Sequence, residues 1–409
     1  MLPEAHAGDA MKLPLAGITV VEASSFAFAP TAASLLSDMG AEVIKVEPPR
    51  GDKSRGMSNR WFGSKSGPNA LLEVANHGKR SVTLDLRNAE GMAVFKKLIA
   101  KADVFVTNYL PSVRERLGID VGDLRDVNES LVYAIASGWG GRGEMADQAG
   151  FDIICAWAAS GLADAMTRPG EQPPHWSVAL FDINCALTLA NSVAAALLRR
   201  ERTGKAGTVE VSLLSAGMWS LAVPFASFPF VGQERRKEVA PGQPLVAWYQ
   251  TSDDRWLFLS ISEPDKYWRE FCERIGLNDF VDDPRFADME ARAANSDACI
   301  DLLRETFLSR PLQDWRERLD NFPAAWTWAK NMEEVSADPQ ARENGYFRTH
   351  ATNEGVDIEL VSPPMQFDGS ALQSRWGAPE TGQDTELVLL ELGYTWDDIA
   401  QLKATDACG

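Results

Sequence analysis

Asp182 stands at the end of the apolar run Ser177-Val178-Ala179-Leu180-Phe181 and at the start of a long small-residue stretch that closes at Thr203-Gly204. A lone carboxylate where a strand-like run becomes a helix has two uses. It can cap the helix, because a short acidic side chain accepts the unpaired N–H groups of the first turn. It can also attack an activated carbonyl and carry the acyl group as a covalent intermediate. Taken alone, the local pattern favours the cap. Asp152, directly after Phe151, is a second acid with two readings, a site residue or an ordinary loop acid. His175, seven residues before Asp182, reads as a loop residue, and Trp139, Trp157 and Trp176 read as core.

Other chemistries are disfavoured by residue type and spacing. The four histidines, His6, His77, His175 and His350, lack metal-ligand spacing. Cys155, Cys185, Cys272, Cys299 and Cys408 form no Cys-x-x-Cys pair, which is the usage of a reducing, cytoplasmic compartment. A formal charge of −18 argues against nucleic acid or an anionic membrane as partner. An anionic ligand would need a local basic spot, for which Lys45, Arg50, Lys53, Arg55, Lys65, Lys79, Arg80 and Arg87 are candidates; by count alone they read as a solvated face. No stretch approaches the roughly 18 apolar residues of a membrane helix, and Met1 to Lys12 has no signal-peptide core.

The elements that must position these groups follow an alternating rhythm. Gly17–Glu22 reads as a strand, Pro30–Met39 as a helix closed by Gly40, and Glu42–Glu47 as the next strand. That βαβ unit implies parallel pairing. Strands at Ser81–Leu86, Asp103–Thr107 and Leu131–Ala136 follow, with a helix at Ala89–Ala100 capped by Asn88 and another opened by Pro111 and stopped at Gly118. Asn184–Arg200 has helical spacing with a face of alanines, and Thr208–Ser212 returns as a strand. The fold class is therefore α/β, with a Rossmann-like, mostly parallel sheet. The first turn, Ala23 to Pro30, lacks the glycine fingerprint of a dinucleotide site, so NAD is not expected. Phe225–Pro244 reads as a linker. A hairpin of Leu245–Gln250 and Trp256–Ser262 around Asp253-Asp254 begins a smaller α+β domain with helices at Lys266–Ile275 and Leu312–Leu319. The expected division is 1–225, 240–325, and a segment 326–409 returning to the first domain, with tail helices broken at Gly393. Residues 1–10 carry no periodic apolar pattern and are expected to be poorly ordered or dispensable.

Several segments in order resemble the family III CoA-transferases, which include the α-methylacyl-CoA racemases. They are Leu15 to Val21, Met39-Gly40-Ala41-Glu42-Val43-Ile44-Lys45-Val46-Glu47-Pro48-Pro49 with Gly51-Asp52, Asn76 to Leu86, Ala102-Asp103-Val104 with Asn108-Tyr109, Arg116-Leu117-Gly118, Val209 to Leu213, and Leu392-Gly393-Tyr394. The likeness spans residues 14–402 and implies a function: moving CoA from an acyl-CoA to a free carboxylic acid. It implies Asp182 as the nucleophile, with Asp152 and Phe151 lining the site opposite. It implies that Phe26 to Pro30, including Ala27 and Phe28, lie on the pantetheine and thioester, and that Leu84, Asp85, Leu86 and Arg87 lie along the adenosine end. Asn108, Tyr109 and Leu110 would supply backbone contacts, and Arg116 a phosphate contact; Lys79 and Arg80 are further candidates for CoA phosphate. No tightly bound cofactor is implied, CoA being substrate, and the partner is a second copy in an interlocked homodimer. Oxyanion donors are sought in the helix N-terminus after Asp182 and near Gly138 or Gly140, with basic residues of the first third compensating the nucleophile's charge.

Two departures narrow the reading. Racemases carry a proton-transferring histidine where this chain has Phe151, and phenylalanine exchanges no proton. Formyl-CoA transferases have a glycine-rich loop where this chain has only Ala240-Pro241-Gly242-Gln243-Pro244. Transfer is favoured over racemisation, and a formyl or oxalate substrate is disfavoured; the rivals are a 2-methylacyl-CoA racemase or other acyl-CoA isomerase of the family, and a CoA-binding protein without turnover in which Asp182 is a cap.

Overall fold

The computed structural model describes residues 13–57, 67–168, 170–175, 179–230 and 243–409. The N-terminal segment 1–10, Lys65, Trp176, Ser177, Val178 and most of the expected linker lie outside them. Two units form: Met1–Ala226 with Arg342–Gly409, and Ser227–Ala341.

The first unit is built on six parallel strands in the order β3-β2-β1-β4-β5-β6. They are β1 (Thr19–Ala23), β2 (Glu42–Glu47), β3 (Lys79–Thr83), β4 (Val104–Thr107), β5 (Val132–Ser137) and β6 (Thr208–Ser212). The connecting helices include α1 (Phe28–Asp38), α2 (Ala70–Asn76), α3 (Ala89–Lys101), α4 (Pro111–Leu117) and α5 (Leu180–Thr203). Asn88 caps α3 through the Glu90 N–H, and Gly118 closes α4 at φ 63°, as the sequence suggests.

Successive strand residues point to opposite faces, and both faces are covered, which is why the strands are apolar throughout. Val20, Val43, Val106 and Ala134 meet α1 and α5; Val21, Ile44, Phe105 and Tyr133 meet α3 and the tail helices α6 (Thr385–Glu391) and α7 (Trp396–Ala404). All of α1 is buried. Its Ala29, Ala32 and Ala33 share one core with Ala186 and Ala190 of α5, and small side chains there let the helices pack closely. Leu180 and Phe181 are helical, not strand-like, and α5 starts behind Ala179, a non-glycine in the left-handed region at φ 64°. Contrary to the expectation that no stretch suits a membrane, α5 is long and apolar enough by composition, with a mean hydropathy of 1.5. Its inner face is core, and Asn184, Thr188 and Asn191 interrupt the outer one.

The second unit pairs Val246–Gln250, Trp256–Ser260 and Ala325–Trp328 in an antiparallel sheet over an aromatic core with Phe271, Phe307 and Trp315. Strand Ala325–Trp328 belongs to this unit, which therefore runs past residue 325 to Ala341.

Near the C-terminal ends of β1 and β2 lies a buried ion network that Lys79 joins from the start of β3. Lys45 Nζ sits 2.8 Å from Glu22 and 2.9 Å from Asp52, Lys79 Nζ 2.6 Å from Glu22, and Arg55 2.6 Å from Glu47. Lys79 also donates to the Pro30 and Ala75 carbonyls. Burial pulls the Lys79 ammonium down to about 8 against the attraction of Glu22. Burial also disfavours charge on Lys45, but Glu22, Asp52 and Glu47 outweigh it and hold that ammonium above its usual range. Lys79 is thus sealed inside the fold, and Arg80 is held by Glu42 and Glu391. Neither is free to bind a phosphate as the resemblance suggested. Removing one member of a buried pair strands its partner's charge. Lys45→Met should therefore cost about 3–5 kcal/mol of unfolding free energy, read from urea denaturation. A loss below about 1 kcal/mol would mean that Glu22 and Asp52 do not depend on it.

Candidate active site

In an open parallel sheet of this order, the crevice outside the carboxyl ends of β1 and β4 is where strand order reverses and where ligands bind. A cleft of ≈ 1110 Å³ opens there. Ala27, Phe28, Leu84, Asp85, Leu86, Arg87, Asn108, Tyr109, Leu110, Arg116, Phe151 and Asp182 all line it. The topology thus gathers residues spread over more than 150 positions of sequence. Asp152 does not line the cleft; it lies behind Phe151 and is 8% exposed.

The two acids are held differently. Asp152 accepts the N–H of Ile153 at 2.7 Å and of Phe181, in the first turn of α5, at 3.3 Å. It is Asp152 that satisfies the start of α5. The Asp182 carboxylate accepts no hydrogen bond from the described residues and faces the cleft. Burial, reinforced by the nearby Asp152 charge, pushes the Asp182 carboxyl up to about 7 from 3.8. The Phe181 N–H, being committed to Asp152, is not a free oxyanion donor.

The basic residues do not neutralise Asp182. Lys45, Lys79 and Arg55 are committed to the ion network, Arg87 pairs with Asp85 at 2.7 Å, and Arg114 with Asp120 at 3.0 Å. Arg50, Lys53 and Arg116 line the cleft and form no ion pair among the described residues, leaving their charges for an anionic ligand. No histidine lines it among the described residues. His77 is bonded to Asp38 and His350 to Glu73 inside the core, and His175 is exposed.

The loop after β1 is held rigidly. Asn108 accepts the Ser25 N–H at 3.1 Å and donates to the Ser25 carbonyl at 2.7 Å, clamping β1's loop to β4's. Asp52 accepts the Phe26 N–H at 3.2 Å, which ties Phe26 to Lys45 and the ion network. Phe26 is left at φ 69°, a costly conformation for a bulky residue. Gly140 lines the cleft at φ 97°, and a Cβ on Gly138 would lie 2.9 Å from Gly150 Cα. The side-chain roles of Asp52 and Asn108, and the presence of Glu210 in the cleft beside Ser137, were not apparent from sequence. Gly51-Asp52, Asn108-Tyr109 and Glu210 were visible only as motif residues.

Comparison with known proteins now decides the family. The sequence profile of CoA-transferase family III matches residues 15–385. The chain belongs to CoA-transferase family III. Among family members, this chain is 29% identical over 390 residues to the (R)-2-hydroxy-4-methylpentanoate CoA-transferase of Clostridioides difficile, covering 95% of this chain and 98% of that one. It is 30% identical over 393 residues to the succinate–glutarate CoA-transferase of Agrobacterium fabrum, covering 93% and 96%. A crystal structure of a CAIB/BAIF family protein from Brucella suis superposes with a TM-score of 0.80 at 27% identity, over 93% of this chain and 99% of that one.

The raised Asp182 carboxyl has a consequence for stability in this family III chain. A group whose folded-state value lies above its unfolded one keeps its proton longer when folded. Stability contributed by Asp182 is therefore full below about 4 and lost as pH rises towards about 7. Asp182→Asn, neutral at every pH, should raise stability at pH 8 by about 1–2 kcal/mol, a figure discounted for partial solvent access. The gain should vanish at pH 4. A helix cap would behave oppositely, so destabilisation of the variant at pH 8 would return Asp182 to that role.

Proposed function

We propose that this enzyme moves CoA from an acyl-CoA to a free carboxylic acid through covalent intermediates on Asp182. The observation that carries the reading is a cleft-facing carboxyl that caps nothing, lacks a cationic partner among the described residues, and is raised to about 7 by burial. Such a carboxylate, once ionised, is poorly solvated and correspondingly nucleophilic.

Asp182 attacks the thioester carbonyl, the C–S bond breaks, and CoA thiolate leaves, giving a mixed anhydride. The thiolate attacks the aspartyl carbonyl and expels the donor acid as its carboxylate, leaving an aspartyl-CoA thioester. The acceptor carboxylate attacks that thioester and releases thiolate. Thiolate attack on the acceptor's carbonyl then regenerates Asp182 and delivers the new acyl-CoA. No proton is gained or lost overall, and the scheme calls on no tightly bound cofactor. Backbone donors near Gly138 and Gly140 are suited to the developing oxyanions. Leu84 to Arg87, Asn108 to Leu110 and Arg116 would carry the nucleotide and pantetheine, with Arg50 and Lys53 adding charge for phosphate. The relatives' names span a branched hydroxy acid and dicarboxylates, so they do not specify the acids used here.

Asp182→Asn should lower transfer by at least about 10³-fold, a loss typical of removing a nucleophile, while CoA-ester binding persists. In the native enzyme kcat/KM should rise with pH through about 7 as Asp182 ionises and then level off. Hydroxylamine during turnover should mark Asp182. Incubation in heavy water without an acceptor acid should leave the substrate's α-carbon undeuterated, since no histidine lines the cleft among the described residues. Rapid α-deuteration, or more than a few per cent of activity in the variant, would overturn the mechanism.

The enzyme is further proposed to work as an interlocked homodimer in a reducing, cytoplasmic compartment. The five cysteines are free and buried. Trp219 and Val223 are each 80% exposed on neighbouring turns, apolar surface of the kind that a partner covers. Trp219→Asp with Val223→Asp should shift the protein to monomer in light scattering; an unchanged mass would remove this surface from the interface.

A further inference from the structure

Resting on the transfer reaction just proposed, we propose that Phe26 and Phe151 form the wall that selects the acid, so that the enzyme takes monocarboxylic acids with an apolar or aryl group in preference to dicarboxylic acids. The two rings meet edge to face, with centroids 5.6 Å apart and planes at 85°. Phe151 is 50% exposed although it is the immediate neighbour of buried Asp152, so its free face is turned to the cleft and not to the core. A half-exposed aromatic ring beside a reacting carboxylate gains when an apolar group covers it.

Phe26 strengthens the case because the chain holds it at a cost. A left-handed backbone in a phenylalanine persists only where the surroundings impose it. Here Asp52 imposes it through the Phe26 N–H, and Asn108 fixes the residue before it. Glycine would suit that conformation better, so the ring is what the strained position retains.

Electrostatics acts against a second carboxylate. Asp182 and Glu210 both line the cleft, and Asp152 is near enough to Asp182 to disfavour its charge. The cations Arg50, Lys53 and Arg116, which form no ion pair among the described residues, belong to the segments after β2 and β4. A dicarboxylic acid must bring one carboxylate to Asp182 in any case. Its second would add like charge to a cleft that already holds Glu210 as well as the Asp182–Asp152 pair.

Binding and selectivity can be measured separately from turnover. Calorimetric titration of the Asp182→Asn protein with hexanoyl-CoA, phenylacetyl-CoA and succinyl-CoA should show the first two binding at least tenfold more tightly. Adding Phe151→Ala should shrink that ratio at least fivefold. Equal or tighter binding of succinyl-CoA, or a ratio unmoved by Phe151→Ala, would overturn the inference. The reaction is tested in the native enzyme with hexanoate, phenylacetate and succinate as acceptors. If binding preference holds while no acid accepts CoA, the transfer reading fails and the selecting wall stands. If transfer occurs but succinate is the better acceptor by kcat/KM, the wall fails and the transfer reading stands.

Discussion

The ion network that joins the ends of β1 and β2 to the start of β3 is the constraint on which the site depends. Glu22, Lys45, Lys79 and Asp52 are drawn from four separate stretches of chain, and each satisfies a charge that would otherwise be stranded in the core. Such a network contributes little net stability compared with an apolar core of the same volume, but it tolerates no missing member. Its product is geometric. Asp52, fixed by Lys45, holds the Phe26 N–H, and Lys79 ties the start of α1 to the end of α2 through the Pro30 and Ala75 carbonyls. The loop over the cleft is thereby held in a conformation that it would not adopt freely.

A second constraint is closeness of approach. The alanine seam between α1 and α5 brings the start of α5 down towards the sheet, and with it Asp182. Gly138 and Gly150 meet where a Cβ on either would collide, Gly150's lying 2.4 Å from Cys155 Sγ. That contact brings the chain after β5 against the turn that carries Phe151 and Asp152. The turn itself continues as a π-helical stretch, Ile153–Ala158, a rare geometry often found at functional sites.

Asp152 and Asp182 show how neighbouring residues of one type acquire different characters. Asp152 receives two backbone N–H groups and stays part of the framework. Asp182 receives none from the described residues and sits beside a like charge, so its ionised form is disfavoured. Asp152 takes the Phe181 N–H at the head of α5, while Asp182 lines the cleft.

The sequence by itself determined the parallel α/β sheet, because β-branched strands alternating with capped helices admit few other pairings. The caps at Asn88 and Gly118, the hairpin around Asp254 and the break at Gly393 were also legible, since each rests on the conformational preference of one or two residues. The cleft-lining residues were legible through family motifs, which record which positions face a ligand without saying why. Tertiary structure alone decided the rest. Lys79 and Arg80 look alike as sequence, yet one is sealed on Glu22 and the other lies across Glu42 and Glu391, because strand register sends successive side chains to opposite faces. Whether Asp182 takes up the first turn of its helix depended on a carboxylate thirty positions away in sequence, brought to the same helix turn by the fold. Charge, strain and proton affinity are properties of neighbours in space, and those neighbours exist only once the sheet has closed around them.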